Sequence, residues 1–149
     1  MRYFLDTELN GFGGELIAIA LVPEEEAGQA FYAAIECSEP TAWVAEHVIP
    51  VLEVAPASRT EVADRFSDYL IDDEYPVIVA DWPEDIAQAA RLLVMGPGVM
   101  KPVRTLRFEL VDPDIIGPYA AATERHNARA DAAALRATVL AYEQRMARP

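Results

Sequence analysis

Apolar and polar positions along the first third of the chain fall into short blocks of strand length. Residues 2–5 and 16–22 of "RYFLDTEL" and "LIAIALV" are aromatic, β-branched or Leu-rich, with "NGFGG" between them, which predicts two strands joined by a Gly-rich turn. Alternation continues through "AGQAFYAAIEC" and predicts a third strand over about 29–36, completing an antiparallel meander. Beyond it the period becomes helical. "TAWVAEHVIPVLEV" is opened by Thr41 and limited by Pro50, and "SRTEVADRFSDYLIDD" is capped by Ser58 or Thr60. "YPVIVAD" is continuously apolar, as expected of a strand buried on both faces, and "PEDIAQAARLLVM" follows as a helix stopped by "GPG". "VRTLRFELV" predicts a last strand, and after a Pro-rich loop the Ala- and Arg-rich segment from about 127 to 147 predicts a long amphipathic helix. The order gives an α/β fold with a mixed sheet, an antiparallel three-strand meander followed by parallel strands flanked by helices.

Composition narrows this to one domain spanning 1–149, because 149 residues with 52% hydrophobic content suffice for a single core and no linker or repeat divides them. The apolar stretches are of strand length and no basic, then hydrophobic, leader opens the chain, so the expectation is a soluble, cytoplasmic protein that makes no use of a membrane. Cys37 is the only cysteine, which excludes an internal disulfide and a Cys-based zinc site. The formal charge of −13 argues against a polyanionic partner in general. Its distribution softens that argument. "EEE" at 24–26 and "DDE" at 72–74 read as solvated runs, whereas Lys101, Arg104, Arg107, Arg125, Arg129 and Arg136 concentrate in the last third and leave room for a local basic rim.

Two carboxylates interrupt the first strand. Strand side chains alternate, so Asp6 and Glu8 point the same way about 6.5 Å apart, and at an effective dielectric of about 20 they repel by about 2–3 kcal/mol. The same spacing recurs at Glu24/Glu26, Asp72/Glu74 and Asp112/Asp114, but in polar, turn-like settings. A metal or catalytic role and an exposed edge pair both account for Asp6 and Glu8. Asp81 closes "PVIVAD" at the C-terminal end of a buried strand, where open α/β sheets place ligands. A helix cap is the alternative for Asp81, although Pro83 suits the first helical position and makes Trp82 the cap. In "HNARADAAALR", His126 and Asp131 would stand about 140° apart on a continuous helix. A helix that starts after Asn127, a good N-cap, would let both face one cavity.

These residues, taken in order, resemble a known family. D-x-E ending the first strand, Asp after a later buried strand and H-x4-D at the last helix are similar to the DEDDh group of 3'-to-5' exonucleases, which have a ribonuclease H-like fold. The match spans residues 6 to 131, and "FLDTELNGFGGELIAIALV", "VIVADWPED" and "HNARADAAALR" look most like the small bacterial exoribonuclease branch typified by a mycobacterial enzyme.

The resemblance implies two divalent ions held by Asp6, Glu8, Asp81 and Asp131. Asp6 would bridge them, Glu8 and Asp131 would complete the inner one, and Asp81 would act mainly through water. Hard oxygen donors favour Mg²⁺ or Mn²⁺. His126 would accept the proton of the attacking water, and the product would be a nucleoside 5'-monophosphate. RNA 3' ends, single-stranded or overhanging, are the implied partner. A proofreading-type DNA exonuclease and a catalytically silent interaction domain are the rival readings, and a homodimer is compatible with each. Backbone after the D-x-E motif lines the terminal-nucleotide pocket in the family, which points to Leu9, Asn10 and Phe12 as substrate contacts. Without the four site carboxylates the charge is still about −9, so weak non-specific affinity and short 3' ends are expected. "GFGG" lacks dinucleotide-loop spacing, Trp43 and Trp82 read as core or helix-start residues, and His47, within a helical pattern, reads as solvated or partly packed.

Overall fold

The first strand, β1 (Arg2–Leu9), forms the centre of a five-stranded sheet because it is paired on both sides. The computed structural model describes residues 1–122 and 125–148. On one side β1 pairs antiparallel with β2 (Leu16–Pro23), which pairs antiparallel with β3 (Phe31–Ala34), giving the expected meander. On the other side it pairs parallel with β4 (Val77–Ala80), which pairs parallel with β7 (Arg107–Leu110). The order β3-β2-β1-β4-β7 makes a mixed sheet in an α/β fold.

Helices cover both faces. On one face α2 (Arg59–Ile71) and α3 (Pro83–Leu92) pack Val62, Phe66, Leu70, Ala89 and Leu92 onto Leu5, Ile19 and Ile78. On the other, α5 (Ala128–Met146) packs Leu135 and Val139 onto Phe4, Val77 and Val79, and Ala128 and Ala132 onto the Ala18/Ala20 region of β2. Alanine facing alanine brings the start of α5 close to the sheet. No described helix is long and apolar enough to cross a membrane.

Several elements differ in extent from the sequence expectation. The third strand is four residues long, and the segment after Thr41 divides into α1 (Ala42–His47) and a 3₁₀ turn over Ile49–Val51, since Pro50 removes a backbone donor. The third helix ends at Leu92, and its expected last turn instead begins a hairpin of β5 (Val94–Gly96) and β6 (Val99–Met100). Gly98 at φ +72° supplies the turn geometry that "GPG" was expected to use only as a stop. A short helix α4 (Pro113–Ile116), capped by Asp112, lies in the Pro-rich loop.

Candidate metal centre

The pleat of β1 sends Asp6 and Glu8 to the face covered by α5, opposite Ala20 and Ala18 of β2. Those small partners leave space above the sheet. The register shifts between Glu8 and Leu9, so the acids stand where regular pairing stops. Asp131 reaches the same space from the first turn of α5, whose start is fixed by Asn127: its Oδ1 accepts from the Arg129 and Ala130 amides at 3.1 and 3.2 Å, and its Nδ2 donates to Val51 O at 2.7 Å. Asp6, Glu8 and Asp131 thereby each offer a carboxylate oxygen within 4.8 Å of the others. The helix boundary at Asn127 brings the backbone of residue 126 to Asp131, but the His126 imidazole is not part of the converging group.

His126 stands just outside the helix at φ +63°, and its backbone N–H donates to Asp131 Oδ2 at 3.1 Å. Its imidazole lies edge-on to the Trp43 indole at 5.0 Å, and Trp43 in turn stacks on His47. Trp43 and Trp82, expected to be packed or to anchor helix starts, stand in the first turn of α1 and at the cap of α3, but both are about half exposed.

Asp81 lies one residue before the Trp82 cap of α3 and accepts a hydrogen bond from the Tyr119 hydroxyl. It lines a cavity of about 550 Å³ together with Asp6, Tyr119, Arg125 and Asp131. Sequence reasoning passed over a fifth carboxylate. Asp85, in the first turn of α3, is buried and accepts from Thr7 Oγ1 at 2.5 Å, so it meets β1 from the face opposite Asp6 and Glu8. The available signal was Thr7 itself, a hydroxyl on the apolar face of the central strand.

The carboxylates oppose one another's ionisation. Burial, followed by the charges of Asp85, Glu8, Asp131 and Asp81, holds Asp6 well above the usual carboxylate range. Burial, then Asp131 and Asp85, pushes Glu8 up to about 7. Asp85 also rises to about 7, through burial that outweighs the Thr7 hydrogen bond. Asp131 is raised by burial, with the His126 amide the largest opposing influence.

The proposed substrate contacts have distinct settings. Leu9 packs against the α2/α3 core, and Phe12 is 97% exposed at the tip of the turn. Asn10 donates to Glu39 O at 3.0 Å and accepts from the Thr41 amide at 2.8 Å, which ties the turn to the start of α1. The basic rim for which the sequence left room amounts at the cavity to a single cation among the described residues. Lys101 pairs with Asp64, Arg129 with Glu53 at 2.6 Å, and Arg136 donates to the carbonyls of Pro23 and Glu24, leaving Arg125 as the cation lining the cavity among the described residues. No protein-family model matches the chain, and comparison with curated proteins gives no significant match.

Proposed function

We propose that this protein is a metal-dependent 3'-to-5' exoribonuclease of the DEDDh type with a ribonuclease H-like fold. The observation that carries the reading is the convergence of Asp6, Glu8 and Asp131 at the end of the central strand. The sheet order and the parallel addition of β4 and β7 to an antiparallel meander support the fold assignment.

The donor set fits a hard divalent cation. Its three converging groups are carboxylates, the same set is held above its normal pKa range by burial and mutual repulsion, and a cation between them would relieve both. Asp6, Glu8 and Asp131 would hold the metal, with Asp81 at the cavity wall. Divalent ions such as Mg²⁺ or Mn²⁺, if two were held there, would supply charge stabilisation for the attacking and leaving oxygens of a phosphodiester.

The chain's own groups do the rest. Arg125 faces the cavity with a charge suited to a phosphate oxygen, and the Tyr119 hydroxyl orients Asp81. His126, tethered through its amide to Asp131 and with its imidazole edge-on to Trp43, is the residue that would take the proton from the attacking water. The cavity volume lies in the range of small-ligand sites and suits one terminal nucleotide, consistent with stepwise release of nucleoside 5'-monophosphates.

The test is incubation with 3'- and 5'-labelled single-stranded RNA and DNA in Mn²⁺, Mg²⁺ or EDTA. Mononucleotide release from the 3' end of RNA, abolished by EDTA and by Asp6→Ala, is the expected result. Equal or faster degradation of DNA would replace RNA by DNA as the substrate, and no metal-dependent release from either would overturn the assignment.

A further inference from the structure

Strand β7 pairs with β4 along one side, and all four of its residues are exposed. Phe108 and Leu110 are 37% and 53% exposed, so the end of the sheet presents an apolar row to solvent. Proteins blunt such edges with charged side chains, Pro, bulges or a covering element. Strand β7 has no Pro and its ladder to β4 runs without a bulge, and its two charges, Arg107 and Glu109, are of opposite sign, so they repel only a strand that meets them out of register.

Pairing with β4 also decides which backbone groups of β7 remain available. The Arg107 amide donates to Pro76 O at 3.0 Å and the Val111 amide to Ala80 O at 2.8 Å. Alternation along the strand then turns residues 107, 109 and 111 toward β4, and the N–H and C=O of Phe108 and Leu110 away from it. A strand added antiparallel must set outward-bonding residues opposite one another. For a second copy of this strand the central registers place Phe108 opposite Leu106, Phe108 or Leu110.

Charge separates the three. Phe108 opposite Leu106 sets Arg107 against Arg107, and Phe108 opposite Leu110 sets Glu109 against Glu109. Phe108 opposite Phe108 sets Arg107 against Glu109 twice, and Leu106 against Leu110 twice. Among the described residues neither Arg107 nor Glu109 is engaged in an ion pair within the chain. The segment "LRFEL" is thus its own antiparallel complement in charge and in hydrophobicity.

We propose that β7 is a self-association edge, which pairs with β7 of a second copy about a two-fold axis at Phe108 and joins two five-stranded sheets into one. Antiparallel joining sends the C-terminal ends of the two β1 strands in opposite directions. The two acidic cavities then lie at opposite ends of the joined sheet, and each works without the other.

Sedimentation velocity over a micromolar concentration series tests this, with thermal melting of every variant as the folding control. Wild type should form a reversible dimer. Glu109→Arg and Arg107→Glu, each of which turns two attractive pairs into two repulsive ones, should weaken association by about thirtyfold. An equimolar mixture of these two variants should associate again, since the two cations that one protomer carries at positions 107 and 109 then face the two carboxylates of the other. Wild type that remains monomeric, single reversals that dimerise as well as wild type, or folded variants that fail to associate on mixing would each overturn the proposal.

Discussion

Burial, and then the charges of Asp131 and Asp85, oppose the ionisation of Glu8. Its pKa of about 7 lies above the ordinary value near 4.3, so the folded, metal-free protein holds a proton that the unfolded chain has lost in that interval. Stability must therefore fall as pH rises through the interval. Urea denaturation in EDTA should give a lower midpoint at pH 8 than at pH 5, and Glu8→Gln should flatten the slope. Asp85 titrates in the same window and adds to the effect. Its bond from Thr7 gives a second prediction: Thr7→Val keeps the shape but leaves a buried acceptor short of a donor, and should cost about 1–3 kcal/mol in the same assay. Period-two alternation placed Asp6 and Glu8 on one side of β1 and the Asn127 cap placed Asp131 in the first turn of α5, but that the three meet was implied only by the family resemblance, since neither local pattern relates the strand to the helix. Asp85 was not legible, because an acid in the first turn of a helix is already explained by the helix dipole, and only the fold puts Thr7 beside it.

At the level of elements, the start of α5 matters most to the site. Asn127 caps two helix amides and holds the 3₁₀ turn through Val51, so it fixes both where the helix begins and how it sits on the sheet. Asn127→Ala should destabilise the fold by about 1–2 kcal/mol in chemical denaturation, and Asn127→Asp, which keeps the cap oxygen but replaces the donor to Val51 O with a second acceptor, should recover little of the loss. The sequence marked this boundary because a cap is local chemistry. It did not mark the β5/β6 hairpin, since Val94, Met95, Val99 and Met100 are all exposed and carry no burial alternation to distinguish strand from frayed helix. The shortening of the expected last strand to β7 has a related cause. Val103 and Leu106 are apolar because they pack on the α2/α3 core from the approach loop, and periodicity alone counts them as strand.

The molecule as a whole carries −13 but treats its acids differently at the two ends of β1. At the start of the strand Arg2 pairs with Glu24 at 2.7 Å and with Glu143 at 2.5 Å, tying the end of β2 and the end of α5 to β1. At the other end three carboxylates converge, and Arg125 is the cation of the cavity that two of them, Asp6 and Asp131, line with Asp81 among the described residues. A divalent ion there would join residues 6, 8 and 131, a link across most of the chain that the unfolded state cannot make. Mn²⁺ at about a hundredfold excess over its dissociation constant should therefore stabilise the fold by about 2.7 kcal/mol. Screening of a chain so acidic raises stability on its own, so the comparison must be with NaCl at matched ionic strength. The Mn²⁺ increment over NaCl should grow from pH 5 to pH 8, because protons compete for Asp6 and Glu8 at the lower pH. Asp131→Asn should remove the increment and nearly all turnover. His126→Ala, which leaves the three carboxylates in place, should keep the increment and lose about 10²–10⁴ in rate, the usual worth of a proton-accepting group. An increment equal to that of NaCl in wild type would leave the carboxylates without a metal to hold, and with it the proposed chemistry would fall.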